Sequence, residues 1–262
     1  MRAMPAMATV SRINVTPIKG TRLGRPAAVE VTPLGILGNR RFHFVDERGE
    51  LASCTDVGAL MRLTSAWDAA AETISVGFPD GTRVAAAADR LGPAHVTDFD
   101  GKPVPGRFVE GPVDEAVSAF VGRAMRLVRA DAEGDGPDVH RLSLLGLASV
   151  ADLGARGGRT DLDPAHFRMN LELDGIEPYE EDTWTGRAVR VGGAVIRVLG
   201  PVPRCVATTR DPATGEKDFD TLRHIAAYRP LMTEPRGIPF GMYAEVEAPG
   251  RVALGDPVGP LD

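Results

Sequence analysis

Two Asp-Gly pairs, each between short β-like runs, constrain the fold of the first half of the chain more than any other feature. Asp80-Gly81 separates TISVGFP from RVAAA, and Asp100-Gly101 separates HVTDF from KPVPGRF. An Asp-Gly pair readily adopts the backbone angles of a two-residue hairpin turn, so each pair predicts a β-hairpin. Hairpins this closely spaced predict a small β-barrel or a β-sandwich.

Alternation of apolar and polar residues supports the same conclusion. Residues 9–15, 27–31 and 41–45 place apolar side chains at a period near two, which is typical of strands with one buried face. We therefore predict a β-barrel lobe over residues 8–110.

Helical spacing first appears after residue 111. Apolar side chains recur at helical spacing in residues 114–124, 144–153 and 219–228. Further β-like runs lie between these helices, at residues 125–129, 167–173, 188–191 and 194–199. The chain of 262 residues is long enough for two lobes, so we predict a second domain over residues 111–262.

The charge balance excludes two classes of partner. The net charge is −6, whereas nucleic acid or an anionic membrane would require a basic excess. No stretch is long and uncharged enough to span a bilayer, and the start, MRAMPAMATV, is not a signal sequence, so we expect a cytoplasmic protein. Its two cysteines, Cys54 and Cys205, are then reduced thiols rather than a disulfide framework.

Several common catalytic motifs are absent from the sequence. It contains no G-x-x-x-x-G-K-[ST] loop, no G-x-G-x-x-G after a strand, no H-E-x-x-H and no G-x-S-x-G. The sequence motifs therefore do not support a nucleotide-binding fold, a zinc protease or a serine hydrolase.

Cys205 has the most informative setting of any candidate functional residue. It ends the run GPVPRC, in which Pro201 and Pro203 stiffen the backbone and Arg204 adds a fixed positive charge. A neighbouring guanidinium favours the thiolate, which is the form that acts as a nucleophile or as a soft-metal ligand. The alternative is a structural cysteine that packs in the core.

Longer segments of the chain resemble a known family. RCVATTRDPATGE, FGMY and GDPV are similar to the C-terminal part of a MOSC domain, and SLLGLASVADL, HFRMNLELDG and EEDTW are similar to its start. VTPIKG and NRRFHFVDERGE resemble the β-barrel that precedes this domain in the mitochondrial amidoxime-reducing component and its bacterial relatives. The resemblance implies a β-rich α+β fold, in which an N-terminal β-barrel lobe is followed by a MOSC β-barrel domain with a few peripheral helices.

The resemblance also implies a molybdenum cofactor, with molybdopterin bound in the protein and Cys205 as the metal ligand. The other residues at positions that bind the cofactor in this family are Lys19, Arg41, His140, Arg168, Asn170, Arg204 and Tyr243. Cationic side chains suit the phosphate dianion of a molybdopterin, and planar or hydroxyl groups suit its pterin edge. If residues 167–173 form a strand, Arg168 and Asn170 share one face, since residues two apart on a strand point the same way.

Three positions depart from the amidoxime-reducing relatives. Gly20 and Pro203 replace hydroxyl residues, and Val139-His140 replaces a more hydroxylated pair. The function implied by the family is reduction of N-hydroxylated small molecules, with electrons from an external ferredoxin, flavoprotein or cytochrome-type protein. Two alternatives stay open: a sulfurtransferase that carries a persulfide on Cys205, and a carrier of the finished cofactor without turnover.

Overall fold

The computed structural model describes residues 8–136, 139–234 and 236–261. Most of the N-terminal run MRAMPAMATV therefore lies outside the described residues. The described strands are β1 Ala8–Ile13, β2 Ala28–Thr32, β3 Gly35–Ile36, β4 Phe42–Val45, β5 Leu51–Ala52, β6 Thr64–Asp68, β7 Thr73–Gly77, β8 Arg83–Ala87, β9 Leu91–Phe99, β10 Lys102–Val109, β11 Arg126–Ala130, β12 Leu142–Gly146, β13 Leu171–Asp174, β14 Ala188–Val191, β15 Ala194–Arg204, β16 Met232–Thr233, β17 Arg236–Ala248, β18 Gly250–Ala253 and β19 Pro257–Pro260.

Few helices accompany these strands. The α-helices of the described residues are α1 Val113–Val121, α2 Leu147–Arg156 and α3 Thr221–Ala226. Short 3₁₀ turns lie at Gly58–Arg62, Pro164–Phe167, Glu180–Trp184 and Val206–Thr209. The predicted β-rich α+β fold is thus confirmed. No helix in the described part of the chain has the length and apolar character needed to cross a bilayer.

Seven strands form a closed barrel in the order β12-β13-β1-β19-β14-β15-β17, and β17 pairs again with β12. The β12–β13 pair is parallel, and the other neighbours are antiparallel. Apolar side chains fill the interior, among them Ile13, Val198 and Met242. Because a closed ring has no free strand edge, each of its strands is held on both sides.

The first lobe is built around a separate core. A five-stranded half-barrel, β5-β4-β11-β10-β9, packs with the three-stranded sheet β6-β7-β8 around buried residues such as Phe42, Phe44 and Leu60. Helix α1 covers this core with Val113 and Val117. Unlike the barrel, this lobe is open.

Two strands cross the predicted domain boundary after residue 110. Strand β1 lies in the barrel, where it pairs with β13 and β19, whereas β11 lies in the first lobe, between β10 and β4. A small sheet, β18-β2-β3, joins early and late parts of the chain. The division into domains 8–110 and 111–262 stays a prediction. In the structure, β1 from the first range joins the barrel, and β11 from the second range joins the first lobe.

Both Asp-Gly hairpins are confirmed. Asp100 and Gly101 have φ angles of 53° and 89°, and they join β9 to β10 in the register Phe99↔Lys102. Both central residues of the turn therefore have positive φ, as a type I′ turn requires. The other pair joins β7 to β8.

Two predicted elements are partly wrong. Residues 144–153 begin as the end of strand β12, and helix α2 starts only at Leu147; a short, fully buried apolar run cannot be identified as strand or helix by its period alone. Residues 167–173 become a strand only at Leu171, because Pro164–Phe167 forms a 3₁₀ turn capped by Asp163.

Candidate functional site

A cleft lies between the two lobes, and residues of both lobes line it. The described lining residues are Lys19, Gly20, Arg40, Leu51, Ser53, Cys54, Thr55, Asp100, Val139, His166, Phe167, Arg168, Val202, Pro203, Arg204, Cys205, Ala207, Thr208 and Tyr243. Four are cationic and one is a carboxylate, in a protein whose net charge is −6. The cleft is therefore a local concentration of positive charge that suits an anionic ligand.

Cys205 presents an exposed thiol to this cleft. It follows strand β15 and is the N-cap residue of the 3₁₀ turn Val206–Thr209. Its carbonyl oxygen accepts hydrogen bonds from the backbone N–H and the hydroxyl of Thr208, at 3.2 and 3.0 Å. The other thiol, Cys54, is buried in the cleft wall against Met61 and Ala207.

Arg204 is held by backbone and side-chain groups from three directions. Its Nε donates to the Phe240 carbonyl at 2.6 Å, its Nη1 donates to the Phe167 carbonyl at 3.0 Å, and its Nη2 lies 2.7 Å from Met169 Sδ. Burial lowers the pKa of Arg204 to about 10, while Tyr243 and Cys205 oppose the shift. The guanidinium is therefore charged at neutral pH and fixed beside the thiol.

Gly241 makes room for that guanidinium. Its φ angle is 69°, and a Cβ at this position would lie 2.9 Å from Met169 Cε and 3.1 Å from Arg204 Nη2. The glycine of the FG-x-Y segment is thus required both by the backbone and by the close approach of Arg204.

Arg168 and Arg40 form a linked pair in the cleft wall. Both have left-handed backbone, with φ angles of 53° and 54°. Arg168 Nη2 donates to the Thr21 carbonyl at 2.6 Å, and Arg40 Nη2 donates to the Arg168 carbonyl at 3.2 Å. Non-glycine residues with positive φ are uncommon and concentrate at functional sites, which supports a binding role for this pair.

The prediction that Arg168 and Asn170 share one face of a strand is wrong, because Arg168 caps the 3₁₀ turn Pro164–Phe167 and does not lie in a strand. Asn170 does not line the cleft. Its side-chain oxygen accepts from the Ser143 hydroxyl at 3.1 Å, and its amide nitrogen lies 3.3 Å from the Asn14 carbonyl, to which it donates. Asn170 thus joins β12, β13 and the residue after β1 behind the cleft wall.

The arginine that lines the cleft is Arg40, which the sequence did not single out, and not its neighbour Arg41. Arg41 points away, where its Nε lies 3.0 Å from the Glu133 carboxylate. Burial lowers the pKa of Arg41, and Glu133 opposes the shift. The doublet Arg40-Arg41 was visible in the sequence, but the left-handed backbone at Arg40 was not.

Of the other residues that the resemblance implies, Lys19 and Tyr243 line the cleft, and His140 does not. The Lys19 side chain is buried, with Nζ 5.1 Å from the centre of the Phe99 ring. His140 packs against the far side of Tyr243, at 4.9 Å between ring centres, and its Nδ1 lies 3.3 Å from Glu245. His140 therefore lies behind Tyr243 and next to Val139, both of which line the cleft.

These residues fit an anionic cofactor that brings its own metal ligands. Among the described residues, no group of three or more His, Cys, Asp or Glu side chains could hold a bare metal ion. A metal at Cys205 would consequently take most of its ligands from an organic group, whose phosphate the cationic side chains could meet. Fold and site together define a strand-rich protein with an exposed thiol in a cation-lined cleft.

Residues 131–259 of this chain match the family model described as "MOSC domain", a family whose domains bind the molybdenum cofactor. Mitochondrial amidoxime reducing component 2 of Rattus norvegicus is 34% identical over 128 residues, which cover 47% of this chain and 37% of that protein. The match therefore spans little more than a third of that relative's length.

A longer match and a structural likeness extend over nearly the whole chain. Mitochondrial amidoxime-reducing component 1 of Homo sapiens is 22% identical over 286 residues, covering 98% of this chain and 84% of that protein. The crystal structure of the YuaD protein from Bacillus subtilis covers 97% of this chain and 94% of its own, with a TM-score of 0.47 and 12% identity.

Proposed function

We propose that this protein is a molybdenum-cofactor oxidoreductase that reduces N-hydroxylated small molecules, with Cys205 as the metal ligand. The observation that supports the proposal most is that the exposed Cys205 thiol shares one cleft with four cationic side chains. The similarity to proteins named amidoxime-reducing components supports the same class of substrate.

Each residue of the cleft has a role in this proposal. Lys19, Arg40 and Arg168 bind the phosphate and the anionic edge of the cofactor, and the Tyr243 hydroxyl contacts its pterin. Arg204 holds a positive charge beside the Cys205 thiolate and fixes the wall around it. The bound cofactor supplies the two-electron chemistry at the N–O bond, and the protein orients it.

Reduction of an N-hydroxyl group consumes two electrons and two protons and releases water. The chain has only two cysteines, too few for an iron–sulfur cluster with four cysteine ligands. We propose that the electrons come from a separate ferredoxin, flavoprotein or cytochrome-type protein, and that the reaction takes place in the cytoplasm.

The metal assignment is tested with the two cysteines as matched variants. Protein purified from a host that makes molybdopterin is expected to contain about one molybdenum per chain. Cys205→Ala should lose nearly all of it, while Cys54→Ala should keep it, because Cys54 packs against Met61 and Ala207. Elemental analysis measures both; equal loss in the two variants would contradict the role of Cys205.

The activity is tested on the same preparations. Viologen-reduced protein should convert benzamidoxime to benzamidine, and NADH alone should give no turnover until a redox partner is added. If molybdenum-loaded protein leaves N-hydroxylated compounds unchanged but Cys205 acquires a persulfide from a sulfur donor, detected by mass spectrometry, the protein is a sulfurtransferase. Bound cofactor with neither reaction would identify a carrier.

A further inference from the structure

The direction of the Cys205 thiol depends on the backbone of one short turn. The Cys205 side chain has no hydrogen-bond partner among the described residues, and the Cys205 carbonyl accepts two bonds from Thr208. Together with the pairing of strand β15, which ends at Arg204, the position of Thr208 therefore contributes to where the Cys205 sulfur points in the cleft.

Two groups hold Thr208: the Thr221 hydroxyl lies 2.7 Å from the Thr208 hydroxyl, and a buried histidine holds the Thr208 backbone. His166 is fully buried, and its Nδ1 lies 3.0 Å from the Thr208 carbonyl oxygen. A carbonyl can only accept, so the hydrogen is assigned to Nδ1, which donates. His166 belongs to the 3₁₀ turn that precedes Arg168, so this bond joins the turn that carries the thiol to the turn that carries a cleft arginine.

The opposite side of the imidazole ring is enclosed as well. Nε2 of His166 lies 3.5 Å from Asp218 Oδ2, and Asp218 in turn contacts Arg159. The Asp218 backbone N–H donates to the Thr209 carbonyl at 2.9 Å. Of the two residues that contact the ring, Thr208 therefore belongs to the 3₁₀ turn that follows Cys205, and Asp218 binds that turn. The ring therefore lies between the two turns, with Nδ1 directed at the Thr208 carbonyl.

We propose that His166 is the positioning residue for Cys205: its Nδ1–H, bonded to the Thr208 carbonyl, directs the thiol into the positive field of the cleft. The proposal rests on the proposed role of Cys205 as the ligand of an anionic cofactor. It adds a buried residue whose side chain acts on Cys205 through Thr208.

The test compares two alkylating reagents on the full-length, cofactor-free protein. Iodoacetate is an anion and iodoacetamide is neutral, so the ratio of their rates at Cys205 reports how strongly the thiol lies in the field of the cations. Site-resolved mass spectrometry gives the rate at Cys205 separately from that at the buried Cys54. A general loosening of the fold would accelerate both reagents and leave the ratio unchanged.

Three variants separate the two ring nitrogens. His166→Asn keeps a donor near the Nδ1 position, His166→Gln keeps one near the Nε2 position, and His166→Phe keeps the ring alone. The iodoacetate preference at Cys205 should fall on the order of tenfold in His166→Gln and His166→Phe, the size of effect that a displaced charge produces near a surface. His166→Asn should retain it.

The matched control is His95→Phe in the first lobe, where the His95 ring also bonds a backbone carbonyl, that of Gly49, at 2.9 Å. This variant should not alter the ratio. An unchanged ratio in folded His166→Gln, or an equal fall in His166→Asn, would overturn the proposal. Because no cofactor is present, these outcomes are independent of whether molybdenum binds, which elemental analysis decides separately.

Discussion

The two walls of the cleft are built in different ways. The barrel wall carries Cys205, Arg204 and Tyr243 on or directly after strands of a closed ring, and backbone carbonyls fix Arg204. The wall from the open first lobe carries Lys19 and Arg40 on connections between strands. A metal ligand needs an accurate position, whereas a charge acts over a longer distance, so the closed barrel is the suitable wall for the thiol. Both walls supply charge: the barrel carries Arg204, and the first lobe carries Lys19 and Arg40.

The largest expected effect is in the barrel wall. Gly241→Ala should lower the free energy of unfolding by about 3 kcal/mol, because a Cβ would strain a left-handed residue and crowd Met169 and Arg204. Molybdenum content should fall with it. Urea denaturation and elemental analysis measure the two effects.

Gly122→Ala is the matched control for this substitution. Gly122 also has a positive φ, 75°, but a Cβ there would meet nothing within 4 Å. Its cost should be about 1 kcal/mol, from the backbone alone. Equal destabilisation in the two variants would mean that the space around Arg204 is not tight.

The next effect is in the first lobe and depends on pH. His43 is buried beside Lys19 and His95, and burial, with a contribution from these two neighbours, lowers its pKa to about 3. The unfolded chain binds a proton at His43 below about pH 6.5, and the folded protein does not, so stability is lost as the pH falls from 6.5 towards 3. At pH 5 the loss should be about 2 kcal/mol.

In the barrel, burial raises the pKa of Glu172 and Glu181, and their contribution has the opposite sign, since stability is lost as the pH rises above the ordinary carboxyl range. The two trends oppose each other in the wild-type curve. The measurement is therefore the difference between wild type and His43→Gln in urea titrations at pH 7 and pH 5. If the two proteins lose the same stability over this interval, His43 is not the titrating group.

The smallest effect distinguishes two neighbouring arginines. Arg40→Ala should lower pterin retention by about tenfold, the effect of losing one charged contact, with little change in stability. Arg41→Ala should retain pterin but lose about 1 kcal/mol of stability, because it breaks the partly buried pair with Glu133. Pterin fluorescence and thermal melting measure both variants; the reverse pattern would restore Arg41 to the site.

Much of the fold was predictable because its signals are local. The Asp-Gly turns, strands β14 and β15 and helix α1 follow from residues that are close in sequence, and the structure has these elements close to the predicted positions. The exchange of β1 and β11 between the lobes was not predictable. Strand β1 pairs with strands more than a hundred residues away, and β11 pairs with β4 across most of the first lobe, so neither pairing leaves a local pattern.

Which side chains face the cleft was predictable only where the backbone is regular. Cys205, Arg204 and Lys19, which the motifs and the resemblance singled out, all line the cleft, and their binding roles stay predictions. Arg168 also reached the cleft, but through a left-handed cap, and Arg40 took the place expected for Arg41 for the same reason. Side-chain alternation predicts direction only along a regular strand, and these arginines lie outside one.

The position of β1 has a consequence for how the protein forms. Ile13 pairs with Leu171 and Ala8 with Val258, so the earliest described strand finds its partners only after most of the chain has been synthesised. Ring closure at such sequence separations is slow compared with the formation of local hairpins. The first lobe, with its short-range hairpins, can fold before β1 is paired. The cleft that contains the thiol is completed only when β1 has paired and the barrel is closed. Completion of the cleft, and any ligand binding that depends on it, therefore follows closure of the barrel.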